Sequence, residues 1–185
     1  MPGGKTVAEN PMLLRLVVEV YKESPAKRLP DGRAGLYRRS LRAWYKRENE
    51  KAENAGTKLQ WDRRQTFELL ATLAFKSRQR GYRDVPLDEI PAIWGDDAEN
   101  QLEALCQGPI IYCDDEFVRF RHETFQEYLC AEYLVAHQGE LPAWTQDDYA
   151  RWGMPFAYAV ELLESDKQQL PESFWLAALS FQSRR

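Results

Sequence analysis

The chain has 185 residues, of which 44% are hydrophobic and 12% aromatic, enough for a packed core, so wholesale disorder is excluded. It contains no apolar run long enough to span a bilayer and opens with no apolar signal segment, so we expect no membrane partner and a cytoplasmic location. The net charge of −4 is uneven, because residues 1–81 carry +9 and residues 82–185 carry −13.

Capping residues and prolines mark the predicted helices of the basic half. The first helix is apolar almost all round, which predicts that it is buried. The second is followed by a polar stretch over residues 48–60, which predicts a loop. The three helices begin at Asn10-Pro11, at Asp31 and at Asp62, and the third ends near Gly81.

The acidic half begins with shorter elements. Residues 82–85 predict a short strand, residues 86–93 a short helix and residues 97–107 an acidic helix. Two β-rich runs around the turn Asp114-Asp115 then predict a hairpin over residues 110–122. A wing of this kind after several helices is typical of a winged-helix domain.

Helical patterns resume after the hairpin. Thr124 is predicted to start a largely buried helix, with Glu127 three residues later completing a capping box. Residues 146–152, 155–165 and 172–182 predict further helices. The predicted fold is therefore mostly α, a helical bundle with a winged-helix domain that carries one short β-hairpin.

Two segments resemble the NACHT branch of the STAND signal-transduction NTPases, which are relatives of animal NLR receptors. One comprises residues 9–14 (ENPMLL) and 29–37 (LPDGRAGLY), and the other residues 120–131 (FRHETFQEYLCA). In that family the first pattern ends a small helical domain and leads into a winged helix, which the second pattern closes. The resemblance implies a flexible tail over 1–9 in a small helical domain ending at 30, a winged helix over 31–137, and the start of a further helical domain over 138–185.

The resemblance implies nucleotide contacts for three residues. His122 matches the winged-helix histidine that contacts the β-phosphate of ADP, while Asn10 and Pro11 match the turn that borders the adenine. The alternatives are structural, namely a histidine that packs at a strand end and an ordinary helix start. Because only nine residues precede Asn10, we expect no NTPase domain here and treat these contacts as latent.

The tripeptide Gly4-Lys5-Thr6 has the form of the end of a P-loop, but the first glycine and the preceding strand are missing. A flexible terminus and a relic of a deleted NTPase domain are the two interpretations. We therefore expect a non-catalytic regulatory segment whose partner is a protein, either an NTPase domain or a sister subunit. ATP or ADP is expected as a cofactor only with an NTPase domain, so the chain alone should neither hydrolyse ATP nor bind ADP with micromolar affinity.

The alternative function is a stand-alone winged-helix protein that binds nucleic acid through its basic surface over residues 33–51. The acidic helix and wing tip would repel phosphates, which disfavours nucleic acid as a partner, and a solvated helix face explains the same charges. A third hypothesis is a homodimer in which oppositely charged halves pair. The residues assigned to the basic surface are Arg38, Arg39, Arg42, Lys46 and Arg47.

No constellation in the sequence predicts catalysis. Cys106, Cys113 and Cys130 have neither a metal-binding spacing nor a base partner nearby in the sequence, so we predict inert, mostly buried thiols and no metal site. Glu127 is predicted to be a helix cap, not an acid or base. The sequence therefore predicts no enzyme.

Overall fold

The structure is a computed structural model that describes residues 11–56, 62–81, 83–95, 98–106, 108, 110–138 and 148–182. The chain divides into two compact units, residues 1–59 and 60–185. Most described residues are helical, and one small antiparallel sheet lies in the second unit, which confirms the predicted fold class. The domain boundaries implied by the family resemblance remain a prediction.

Unit 1 contains two packed helices, α1 (Pro11–Glu23) and α2 (Gly32–Asn54). The buried residues of α1 recur at helical spacing and are Leu13, Leu16 and Val20. The predicted all-round burial of α1 is wrong, because Leu14, Val18 and Tyr21 are between 43% and 47% exposed. Among the described residues of unit 1, the helix that packs on α1 is α2, which covers one face and leaves these three side chains at the surface.

Helix α2 is longer than predicted. It continues through residues 48–54, where the sequence predicted a loop. Two ion pairs support this polar end, since Lys46 Nζ lies 3.6 Å from Glu50 Oε1 and Lys51 Nζ lies 2.7 Å from Glu48 Oε1. Glutamate, lysine and alanine are good helix formers, and pairs three or four residues apart stabilise a solvated helix.

Unit 2 combines helices with a three-stranded sheet of order β1-β3-β2, in which both pairings are antiparallel. Its elements are α3 (Arg63–Arg80), β1 (Asp84–Pro86), α4 (Ile90–Trp94), α5 (Ala98–Cys106), β2 (Ile111–Cys113), β3 (Phe117–Phe120), α6 (Glu123–Ala136), α7 (Tyr149–Ser165) and α8 (Glu172–Gln182). The predicted strand at 82–85 and the predicted hairpin are confirmed. Helix, strand, two helices and a hairpin follow one another in the order of a winged helix.

The third predicted helix begins and ends where the sequence indicated, at Asp62 and Gly81. Asp62 Oδ1 accepts a hydrogen bond from the Gln65 amide at 2.8 Å, and Gln65 Oε1 accepts one from the Asp62 amide at 3.1 Å. Gly81 ends α3 with a φ of 78°, a left-handed conformation that glycine adopts readily. In the hairpin turn, Asp114 Oδ1 accepts two backbone amides at 2.9 Å.

The start of α6 differs from the prediction. The helix begins at Glu123, one residue before Thr124, and His122 is its N-cap. His122 Nδ1 accepts the Thr124 amide at 3.3 Å and lies 2.8 Å from Thr124 Oγ1. The predicted capping box of Thr124 and Glu127 is therefore wrong, because the imidazole takes the capping position.

Helix α7 is continuous where the sequence predicted a break between residues 152 and 155. Pro155 lies inside the helix and is buried. Its missing amide leaves the carbonyl of Arg151, four residues earlier, without a helical donor. Nη1 of Arg78 on α3 donates to that carbonyl instead, which satisfies the freed acceptor and ties α3 to α7.

Helix α6 lies at the centre of unit 2, packed against both α3 and α7. The rings of Phe75 and Tyr133 stack with centroids 4.2 Å apart, and the Trp152 ring lies 5.5 Å from that of Phe75. Beside this core, Gln126 Nε2 donates to Ser77 Oγ at 2.9 Å. Aromatic packing joins α3 to both α6 and α7, and a buried hydrogen bond adds a second link between α3 and α6.

The cysteine prediction is wrong for two of the three residues. Cys106, at the end of α5, forms a disulfide with Cys113, at the end of β2, and their Cα atoms are 5.6 Å apart. Cys130 is a buried free thiol as predicted, and burial raises its pKa to about 12. The disulfide joins the predicted acidic helix to the wing.

Candidate functional site

A cavity of about 470 Å³ opens beside His122 in unit 2. Five arginines from four regions of the unit line it, together with His122 at the start of α6. We call it the arginine cavity, and its basic residues are Arg78, Arg83, Arg119, Arg121 and Arg151. Such a concentration of guanidinium groups favours an anionic ligand.

Arg78 is the buried member of the arginine cavity, with 8% of its surface exposed. Its Nη1 donates to the Arg151 carbonyl, but Nε and Nη2 have no hydrogen-bond partner among the described residues. Nη2 lies 3.7 Å from Glu127 Oε1 and 3.9 Å from Glu123 Oε1, beyond hydrogen-bonding distance. Nε and Nη2 are shielded from solvent, so the two carboxylates at ion-pair distance are what offsets the cost of burying this cation.

Glu127 lies beside Arg78 and is itself mostly buried, with 13% of its side chain exposed. Burial raises the pKa of its carboxyl group to about 7, because the charged form loses water; Arg78 opposes this shift and Glu123 adds to it. Near neutral pH, Glu127 is therefore only partly ionised. It neutralises Arg78 less completely than an ordinary carboxylate.

Two more of the arginines have structural contacts, and one of them, Arg119, also pairs with Asp84, whose Oδ1 lies 3.8 Å from its Nε. Arg121 Nε donates to the carbonyls of Gly108 at 3.3 Å and Ile111 at 3.0 Å, which ties the end of β3 to the chain leading into β2. The guanidinium of Arg119 lies 4.4 Å from the centre of the Phe117 ring. These contacts hold both cations on the side of the cavity that the sheet forms.

Arg83 and Arg151 line the cavity and are exposed. Their side chains form no hydrogen bond or ion pair with any residue that the structure describes. Nη2 of Arg151 lies 3.6 Å from the position that a β-carbon would take at Gly81, so this side chain extends over the end of α3. Both arginines are free to contact a ligand.

His122 presents a donor as well as a cap. Because Nδ1 accepts from the Thr124 amide, a neutral ring carries its proton on Nε2. The ring also sits at the positive end of the 14-residue helix α6. These features suit a neighbouring anion, while the ADP contact implied by the family resemblance stays a prediction.

The other predicted nucleotide residues belong to unit 1. Pro11 is the exposed first residue of α1 and lines a groove of about 450 Å³ with Leu14 and Val18. Asn10 and Gly4-Lys5-Thr6 lie outside the described residues.

The predicted basic surface on α2 is partly neutralised. Arg39, Arg42 and Lys46 are exposed, while Arg38 and Arg47 are half-buried. Arg47 forms an ion pair with Glu23, and Lys46 pairs with Glu50. Arg39 Nη1 donates to the backbone carbonyl of Arg28 at 3.3 Å. These residues therefore form a largely solvent-facing helix surface on which several cations have partners nearby.

The sequence analysis singled out His122 as a candidate but none of the arginines around it. Arg78 and Arg151, which are hydrogen-bonded, stand 73 residues apart in the chain. They meet only because α3, α6 and α7 pack together. The sequence offered one signal that could have pointed to them. Only seven basic residues follow residue 82, and four of these seven line the cavity.

In the part of the chain that the structure describes, no three His, Cys, Asp or Glu side chains are grouped so as to hold a metal ion. None of the described helices combines the length and apolarity needed to cross a membrane. Comparison with protein-family models, curated proteins and solved structures finds no match.

Proposed function

We propose that this chain is a non-catalytic regulatory and protein-interaction segment of a NACHT-type STAND signalling NTPase. The observation that carries the proposal is a winged-helix arrangement whose usual nucleic-acid-reading parts are acidic. Glu99 and Glu103 are exposed on α5, and Asp115 and Glu116 are exposed at the tip of the hairpin. Because these carboxylates repel phosphates, a protein is the better partner for this fold.

The position of His122 supports the regulatory part of the proposal. In the resembled family, a histidine at this place reports on the phosphates of bound ADP. Here His122 lines a cavity rich in arginine and carries a free Nε2 side, so its surroundings favour an anion. With an NTPase domain supplied, this cavity is where unit 2 would respond to the nucleotide.

Exposed apolar side chains support a protein partner. On α8, Phe174 is fully buried, whereas Trp175, Leu176 and Leu179 are 59% to 60% exposed. Large apolar side chains grouped on one helix are typical of interaction surfaces.

Nucleic-acid binding through α2 is the rival function, favoured by the exposure of Arg39, Arg42 and Lys46. Gel shifts with duplex DNA and with RNA across a salt series separate the two. We expect no shift at physiological salt. A shift that weakens steeply with salt and disappears in the triple variant Arg38→Ala, Arg39→Ala, Arg42→Ala would contradict the proposal. Exchange of the unit 2 arginines Arg83 and Arg151 for alanine is the matched control.

A further inference from the structure

We propose that Cys106 and Cys113 form a reversible redox site in unit 2. Thiol reductants are the class of co-substrate that opens the disulfide, and the disulfides of such thiols close it again. In the closed state the last residue of α5 is bonded to the last residue of β2, whereas in the open state α5 keeps only non-covalent contacts. The site needs no residue outside unit 2 and does not rest on the proposed function.

The first support is the access that a reductant has to this disulfide. Cys106 and Cys113 are both partly exposed, whereas the free thiol Cys130 is fully buried. Exchange begins when a thiolate attacks one sulfur of the disulfide, so a disulfide at the surface is more easily reduced than an enclosed one. Of the three cysteines, the two that are bonded are therefore the two that a reductant reaches.

The second support is the short loop that the disulfide closes. The two cysteines are separated by seven positions in the sequence. A disulfide stabilises a fold largely by restricting the unfolded chain, and it does so less when the loop is short. The three helices that form the core of unit 2, α3, α6 and α7, contain neither cysteine. Reduction should therefore leave this core folded.

The third support is the set of hydrogen bonds that hold the chain between the two cysteines without the disulfide. The Gly108 amide donates to the Leu105 carbonyl at 3.0 Å, and Arg121 Nε donates to the carbonyls of Gly108 at 3.3 Å and Ile111 at 3.0 Å. Strand β2 is also paired with β3 over its whole length. The hairpin therefore keeps its shape when the bond opens, and the two thiols stay near enough to close it again.

Helix α5 is the element that depends on the bond. It has nine residues, it packs on α4 and β2, and its Ala98 and Leu105 are buried. A helix this short is marginal by itself and takes its stability from packing. Opening the disulfide removes the covalent link between α5 and the sheet, so α5 should open locally more often while the rest of unit 2 stays folded.

The exchange conserves atoms and electrons. A thiolate of the reductant attacks one cysteine sulfur, which breaks the Sγ–Sγ bond and leaves a mixed disulfide. A second thiolate attacks the reductant's sulfur in that mixed disulfide and releases the cysteine. The reductant gives up two electrons and ends as a disulfide, and the two protons of its thiol groups end on Cys106 and Cys113.

The acidic surface of α5 and the hairpin tip would thereby respond to redox conditions. Glu103 lies one turn before Cys106, Asp115 and Glu116 follow Cys113, and all three carboxylates are exposed. The disulfide links the segments that carry them. This consequence rests on the proposed function, which assigns the surface to a protein partner. The measurements below involve neither a partner nor nucleic acid, so their failure would refute the redox site and leave the proposed function standing.

The first measurement is the oxidation state of the full chain at equilibrium. The chain is held in glutathione buffers that match the reducing cytoplasm and the oxidising secretory compartment, then acid-quenched, alkylated and analysed by mass spectrometry. We expect Cys106 and Cys113 to be mostly thiols in the first buffer and mostly bonded in the second, and the same sample to pass between the two states. A pair that stays bonded in the first buffer, or stays open in the second, would overturn the proposal.

Hydrogen exchange of the oxidised and reduced chains measures the structural consequence. On reduction the amides of α5 should exchange about tenfold faster, within the limit of about fiftyfold that loop-closure entropy sets for so short a loop. The amides of α3, α6 and α7 should change by less than about twofold, because these helices stay packed. Unchanged exchange in α5, or an equal acceleration in the three core helices, would overturn the proposal.

Two variants assign the effect to this pair of sulfurs. The double variant Cys106→Ser, Cys113→Ser should exchange in α5 like the reduced chain and respond to neither buffer. Cys130→Ala is the matched control, because it removes the sulfur outside the bond, and its α5 should respond to reduction as in the parent chain. A response that persists in the double variant, or is lost in a Cys130→Ala chain that circular dichroism shows to be folded, would contradict the site. The reduced parent chain gives the same readout without any substitution if the double variant does not fold.

Discussion

Replacing Glu127 with glutamine should stabilise the protein at alkaline pH and have little effect at acidic pH. Burial raises the pKa of the Glu127 carboxyl group from 4.5 to about 7 in the folded state. The folded protein therefore holds the proton more tightly than the unfolded chain. As the pH rises from about 4.5 to about 7, wild-type stability falls, because ionising a buried carboxyl group costs more than ionising an exposed one.

The magnitude follows from the size of that shift. Each pKa unit corresponds to about 1.4 kcal/mol, so a shift from 4.5 to about 7 costs at most about 3.5 kcal/mol above pH 7. Glutamine resembles the neutral carboxyl group and avoids this cost. We expect Glu127→Gln to raise the free energy of unfolding by roughly 1 to 3 kcal/mol at pH 8 and by less than about 0.5 kcal/mol at pH 4.5.

Urea titrations followed by circular dichroism at several pH values measure this difference. Glu164→Gln is the control, because Glu164 is an exposed carboxyl group on α7 of the same unit, and its effect should not vary with pH in this way. A destabilised Glu127→Gln variant at pH 8 would refute the reasoning. It would mean that the attraction between Glu127 and Arg78, 3.7 Å apart, outweighs the cost of burying the carboxylate.

Two other predictions concern the cysteines and the helix proline. Under non-reducing conditions Cys106 and Cys113 should resist alkylation and react after reduction, whereas Cys130 should react only on unfolding; rapid labelling of Cys130 in the native protein would contradict its burial. Pro155→Ala restores an amide for the Arg151 carbonyl, so Arg78→Met should destabilise the Pro155→Ala variant less than the parent chain in urea titrations, and an equal loss in both would show that this carbonyl does not depend on Arg78.

The elements that could be predicted from sequence are those fixed by neighbouring residues. Asp62 and Gln65 form their capping box within one helical turn, and Gly81 ends the same helix by its own backbone conformation. The acidic hairpin turn is likewise local, since Asp114 accepts the amides of the turn that follows it. Such signals act over a few residues and need no knowledge of the fold.

The errors arise where tertiary structure overrides a local rule. Pro155 should interrupt a helix, yet α7 continues because a side chain from α3 satisfies the carbonyl that the proline leaves free. Thr124 is a good capping residue, but His122 already occupies the cap one residue before the helix. Glu127 was predicted to be part of a cap. It lies beside the buried Arg78 instead, and burial and this arginine together set its pKa.

The uneven charge of the chain illustrates the same point for the site. The strongly basic first half suggested a cationic surface on α2, but two of its cations, Lys46 and Arg47, are paired with nearby glutamates. The half with net charge −13 has only seven basic residues, and Arg83, Arg119, Arg121 and Arg151 line a single cavity. Nε of Arg119 lies 3.8 Å from Asp84 Oδ1, whereas the side chains of Arg83 and Arg151 form no ion pair with any described residue. Their convergence around His122 therefore determines the local charge of unit 2 more than the net charge of either half does, because electrostatic interactions in salt solution act over short distances.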